Sequence, residues 1–151
     1  MKIILIPYSD GSLNKNKGTE LAPEILTKNL KTKTVKIIQG NIDQSLQNIE
    51  KTPGKIFIGG DHSITFPLFK SFSKKHINPG LIILDAHPDA EVYTKTPSHE
   101  DFVRYLVDKK YLKKQNLIYI GLRKISKNEK AFLKNVTWVK SNTNLNIIKK
   151  T

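Results

Sequence analysis

Leu81-Ile82-Ile83-Leu84-Asp85-Ala86-His87-Pro88-Asp89 is the stretch on which the reading of this chain turns. A short, continuous apolar run bounded by Gly80 and Pro88 reads as a strand covered on both faces, the kind found in parallel sheets. Asp85, His87 and Asp89 follow it directly. In an extended segment, side chains at alternate positions share a face, so two carboxylates and an imidazole are expected to converge. Carboxylates crowded in this way repel each other and lose solvation, and a divalent cation relieves both costs. A second apolar run, Ile56 to Ile58, ends in Gly59-Gly60-Asp61-His62-Ser63 and offers another imidazole. The pair of segments points to a metal-dependent hydrolase. Asp61 reads as a partner that orients its neighbours rather than as a ligand.

Similar alternation runs through the chain. Strand-like runs at Lys2–Pro7, Thr34–Gln39, Lys55–Ile58, Leu81–Leu84, Leu117–Ile120 and Val136–Val139 alternate with helix-like segments near 21–30, 42–50, 65–76, 100–114 and 127–135. Pro23 suits a helix's first turn, and Ser63 and Ser98 are candidate N-caps. Phe102, Tyr105 and Leu106 recur at helical spacing and read as core; His76, after Lys74-Lys75, reads as a solvated helix end. Gly11–Gly18 is a loop. The β-α succession predicts an α/β fold with a parallel sheet. In such sheets ligands bind beyond the carboxyl ends of the strands. A right-handed crossover then brings His62 and Asp85 to the same edge.

Composition narrows the function. The chain's 151 residues suit one domain with a real core, and 38% hydrophobic content is ordinary. No apolar run could span a bilayer, and the opening Met1–Gly11 reads as a first strand rather than a leader. Without cysteine, metal ligands must come from histidine and carboxylate. A cytoplasmic protein without a membrane partner is the expectation. The formal charge of +13 invites a nucleic-acid reading, yet only Arg104 and Arg123 are arginines among 26 cations. Lysine is spread along the chain, in pairs such as Lys149-Lys150, with no interleaved aromatics, which argues against specific nucleic-acid recognition.

The two motifs, GGDHS at 59–63 and DAHPD at 85–89, each after an apolar strand and in this order, closely resemble those of the ureohydrolase family of arginases, agmatinases and formimidoylglutamases. Lys17-Gly18-Thr19-Glu20-Leu21-Ala22-Pro23 looks like that family's first loop and helix, and Tyr119-Ile120-Gly121-Leu122-Arg123 like its strand-then-Gly-x-Arg segment. The resemblance implies a three-layer α/β/α fold with a mainly parallel sheet, in a single arginase-like domain over residues 1–151. It also implies two Mn²⁺: one held by His62, Asp85 and Asp89, the other by His87 with Asp85 as the bridge. By the same resemblance a metal-bridging hydroxide, oriented by Asp89, attacks the carbon of a guanidino substrate. His99, in Pro97-Ser98-His99-Glu100, is the corresponding proton donor to the leaving amine. Where arginases carry an Asn that binds the substrate's α-carboxylate, this chain has Glu91. A carboxylate there favours a decarboxylated guanidine such as agmatine.

The family's third metal segment, Ser-x-Asp-x-Asp, has no counterpart, since no carboxylate follows Glu129. In the family's eight-stranded sheet two later strands lie between the third and fourth. The chain is therefore expected to form an incomplete sheet lacking its last two central strands. Either the third and fourth strands pair directly, or another polypeptide fills the gap. A truncated gene product, one half of a split enzyme and a non-catalytic metal-binding relict all fit that expectation, with a complementing chain or a homo-oligomer as the expected partner. Little or no turnover by the chain alone is the common consequence.

Overall fold

The computed structural model describes residues 2–13 and 18–140. Lys17 and the Lys149-Lys150 pair lie outside these, as do positions 14–16 of the first loop. Among the described residues there are six strands: β1 (Ile3–Ile6), β2 (Thr32–Thr34), β3 (Ile56–Gly59), β4 (Leu81–Leu84), β5 (Leu117–Ile120) and β6 (Thr137–Val139). Between them run α1 (Ala22–Leu26), α2 (Ile42–Lys51), α3 (Thr65–Ser73), α4 (Phe102–Asp108) and α5 (Lys127–Phe132). Every strand pairing is parallel, but the strands form two sheets, β2-β1-β3 and β4-β5-β6. The third and fourth strands do not pair directly. The α/β class and the incomplete sheet both agree with the sequence reading.

Each sheet has its own apolar core, and α3 joins them. Ile4, Ile6 and Tyr8 pack with Leu46 and Ile49 of α2 beneath the first sheet. Ile83 and Tyr119 pack with Phe102, Val103 and Leu106 of α4 beneath the second. Phe66 and Phe69 of α3 belong to the second core, while Leu68 lies against the first. His76 stacks on Phe72 at the exposed end of that helix, ring centroids 4.0 Å apart.

Local chemistry moved several boundaries. The second strand was expected over Thr34–Gln39 but lies at Thr32–Thr34. Ser45 of α2 is the reason: its hydroxyl accepts from Ile38 N (2.9 Å) and donates to Ile38 O (3.1 Å), taking that peptide out of the ladder. The first helix ends at Leu26 because Thr27 turns its hydroxyl onto Pro23 O (2.7 Å). α4 stops at Asp108, where Lys110 takes a left-handed φ of 62° and Tyr111 N donates back to Leu106 O. Neither serine caps. Asp61 caps the turn His62–Ile64 by accepting from Ser63 N (2.8 Å), and Asp101 accepts from Ser98 N (2.6 Å). Ser98 Oγ instead accepts from Glu100 N (3.3 Å), in the turn that precedes α4. Among the described residues no helix is long and apolar enough to cross a membrane.

Candidate metal centre

His62 and Asp85 each stand just beyond the carboxyl end of a strand, β3 and β4. The first is delivered by a tight turn. A Cβ on Gly60 would lie 2.3 Å from Tyr8 O, so only glycine lets the GGDHS backbone lie against the exit of β1. Asp61 N donates to that same carbonyl (3.1 Å), and the ring of His62 rests on Phe102, centroids 4.6 Å apart. Asp61 Oδ1 accepts both the amide and the hydroxyl of Ser63. Burial raises the Asp61 carboxyl above the usual range, against those bonds. Its role is to hold the turn that carries His62, as an orienting partner.

The DAHPD segment does not continue as an extended strand. Asp85 N keeps the β5 ladder (to Ile120 O, 3.1 Å), and then Asp85 Oδ1 accepts from His87 N (2.9 Å), turning the chain. Asp89 has φ 49°, a left-handed conformation that Asp adopts more readily than most residues. The turn, rather than a strand's pleat, brings Asp85 and Asp89 together. It also carries His87 outward, with its side chain 52% exposed. Three groups clamp this loop from behind. Tyr119 Oη donates to Pro88 O (2.5 Å), Arg104 Nε donates to Ala90 O (2.7 Å), and Glu129 Oε1 accepts from Ala90 N (3.2 Å). The other Glu129 oxygen accepts from Ser126 N (2.9 Å) in a capping box that starts α5. Ser126-x-x-Glu129 is legible in sequence as such a box; its grip on Ala90 is not.

Ligand atoms of His62, Asp85 and Asp89 lie within 4.8 Å of one another. His62 Nδ1 is 2.7 Å from Asp89 Oδ2 and 3.6 Å from Asp85 Oδ2. Asp85 Oδ1 faces the other way, 3.5 Å from His87 Nδ1. One carboxylate thus stands between two imidazoles, while His87 falls outside the tight group. Burial pushes the Asp89 carboxyl up; the hydrogen bond and charge of His62 pull it back, and Asp85 adds to the rise. A buried carboxylate that resists ionisation beside a second one is the situation a bound divalent cation relieves. An imidazole with two carboxylates is a donor set suited to Mn²⁺, so the residues present fit one such ion. For a second ion they supply His87 and the far oxygen of Asp85.

His87 and Asp89 also line a cleft of about 360 Å³ together with Glu91, His99, Glu100 and Lys124. His99 is tied to the loop after β1: its amide donates to Gly11 O (3.1 Å), and Nδ1 lies 3.0 Å from the same oxygen. Nε2 is left towards Glu100, 3.5 Å from Oε1. Glu91 receives a bond from Asn128 Nδ2 (3.3 Å). His62 and Asp85 lie at this centre, and His87, Asp89, Glu91 and His99 line the cleft beside it. Lys124, Arg104 and Glu129 were not singled out.

A family model described as the arginase family matches residues 23–146. The agmatinase of Bacillus cereus is 32% identical over 107 residues, which cover 64% of this chain and 36% of that protein. Among solved structures, the formimidoylglutamase of Bacillus subtilis superposes with a TM-score of 0.79 at 20% identity, over 99% of this chain and 56% of that one. The formiminoglutamase of Trypanosoma cruzi, solved with Mn²⁺, gives 0.77 at 12% identity, over 99% and 61%. The chain spans about a third of the length of the curated relatives it matches.

Proposed function

The chain belongs to the arginase family, and on that premise we propose that it is a manganese-dependent ureohydrolase, cleaving a C–N bond of a guanidino compound in the cytoplasm. The convergence of His62, Asp85 and Asp89 at two strand tips carries the reading. Those three would hold one ion, and His87 with Asp85 the other. When bound, the metal pair supplies Lewis acidity that makes water a competent nucleophile near neutral pH.

The chain's own residues do the rest. Asp89, buried and fixed by its left-handed backbone, orients the attacking water by accepting its proton-bearing side. His99 has its Nδ1 engaged by the backbone of Gly11 and Leu13, so Nε2 is the nitrogen left for exchange, and the protonated ring hands its proton from there to the leaving amine. Glu91 lines the same cleft and favours a substrate with a cationic tail, such as agmatine, over one with an α-carboxylate. Glu100, on that cleft too, adds a second negative group and supports this preference. Among the described residues two carboxylates converge with His62, fewer than a hard cation prefers, so turnover by this centre alone is expected to be low.

Titration of the purified chain with Mn²⁺, read by calorimetry, tests the centre. Binding that Asp85→Asn abolishes is the expected result, and equal binding by that variant would overturn the assignment. On a protein carrying the missing carboxylates, agmatine should outperform arginine, and Glu91→Gln should narrow the difference. Preferential use of arginine would overturn the substrate choice.

A further inference from the structure

Gly11, a buried residue of the loop after β1, is wedged between two parts of the site that each carry a histidine. On one side lies the GGDHS turn. A Cβ on Gly11 would overlap the Ser63 side chain and sit 3.1 Å from Asp61 Oδ1. Asp61 N also donates to Tyr8 O (3.1 Å), so the loop is seated on this turn at two points. On the other side Gly11 O accepts from His99 N (3.1 Å) and lies 3.0 Å from Nδ1 of the same residue.

Two backbone groups meet His99 Nδ1 and ask opposite things of it. Gly11 O needs a proton there, whereas Leu13 N, 3.4 Å away, needs a lone pair. At 3.0 Å the Gly11 contact is the stronger. In the protonated ring it is also the only one of the two that can form, because Nδ1 then has no lone pair. At the other nitrogen, Glu100 Oε1 stands 3.5 Å from Nε2, too far for a hydrogen bond, on a side chain that is 45% exposed. Glu100 therefore holds a proton on Nε2 less firmly than Gly11 O holds one on Nδ1.

We propose that Gly11 is the positioning residue for His99: pressed against Asp61 and Ser63, it aims its carbonyl so that the ring keeps Nδ1–H in both charge states and exchanges its proton only at Nε2. Which ring nitrogen titrates is set by the bond that the other one makes. Once Nε2 has given its proton to the leaving amine, the ring is left in the form that Gly11 O already stabilises. No proton has to move between the two nitrogens. A side chain at position 11 would collide with Ser63 and turn that carbonyl away. The turn that carries His62 and the ring that donates the proton thus share one backbone strut. This deepens the proposed function and rests on its assignment of His99 as the proton donor.

Long-range ¹H–¹⁵N correlation spectra of the ¹⁵N-histidine-labelled chain, in alkaline solution without metal, read the ring directly, and His99→Gln assigns its signals. The Nδ1–H form should exceed the Nε2–H form by about fivefold, the factor that one intramolecular hydrogen bond supplies, although histidine in water prefers Nε2–H. Gly11→Ala should lose that excess. Adding Ser63→Gly, which makes room for the new Cβ, should restore it. A parent ring found chiefly in the Nε2–H form overturns the proposal, whether or not the variants fold. A folded Gly11→Ala chain that keeps the excess, or a folded double variant that fails to regain it, overturns it also. Mn²⁺ titration of the same samples separates this inference from the proposed function. Binding by a parent chain that lacks the Nδ1–H form sinks the inference alone. The Nδ1–H form without binding sinks the metal centre and leaves the hold of Gly11 on the ring intact.

Discussion

Glu129 is the residue whose removal should be felt furthest from its own position. It is 6% exposed; one carboxylate oxygen accepts from Ala90 N, and the other from Ser126 N. Glu129→Ala strands the Ala90 amide, which is wholly buried, at about 1–3 kcal/mol. Losing the capping box adds about 1 kcal/mol. Relief from burying a carboxylate offsets part of this, but two N–H bonds to a charged acceptor outweigh it. The net loss is therefore below that sum, about 1–3 kcal/mol, or about 3–10 °C in Tm for a chain of this size. Glu129→Gln keeps one acceptor and turns an amide NH₂ towards the other N–H, so about half the loss remains. Because Ala90 adjoins Asp89, both variants should also weaken Mn²⁺ binding. Thermal melts followed by circular dichroism, with Mn²⁺ titration of the folded variants, give both numbers. A Glu129→Ala protein melting within about 2 °C of the parent would show that the loop does not depend on this clamp.

Three further outcomes follow from neighbouring contacts. Tyr119→Phe removes the donor to Pro88 O and should cost about 1–2 kcal/mol in urea unfolding; a neutral result would count against the second clamp. Burial raises the Asp89 carboxyl in the fold, so without added metal its contribution to stability is fully present below the unfolded carboxylate value. That contribution fades as pH rises through the higher folded value. Urea midpoints of Asp89→Asn should lack this decline and should no longer respond to Mn²⁺; a parallel pH profile in the variant would refute it. Glu50 behaves oppositely. Partial burial works to raise its carboxyl, but hydrogen bonds from Lys70 (2.8 Å) and Lys74 (2.6 Å), with their charges, leave it lowered. Its stabilisation is present above the unfolded carboxylate value and is lost as pH falls through the lower folded one. Lys74 is largely exposed, so Glu50→Gln should cost at most about 1 kcal/mol at neutral pH, less in high salt; a loss unaffected by acid would exclude the ion pairs as its source.

The elements that sequence predicted best are short, continuous apolar runs bounded by turn residues. Leu81–Leu84 and Leu117–Ile120 fall where those runs placed them and pair with each other in parallel, although Ile82 and Leu84 stay exposed. Thr34–Gln39 looked equally strand-like, yet its later peptides bond to Ser45 on another element, and nothing local encodes that competition. The same division separates the parts of the metal centre. Residue types and their places after β3 and β4 were enough to bring His62 near Asp85, since parallel strands end at a common edge.

The amino-acid sequence by itself determined a parallel α/β chain with an imidazole and carboxylates gathered at two strand tips, because periodicity and strand direction are local properties. Only the tertiary structure decided that Asp89 turns inward on a left-handed backbone while His87 swings out. It alone decided that Tyr119, Arg104 and Glu129 grip the loop between them, and that β3 and β4 stand apart. Those outcomes depend on which distant group first satisfies a buried N–H or C=O, and that is settled by the packed chain as a whole.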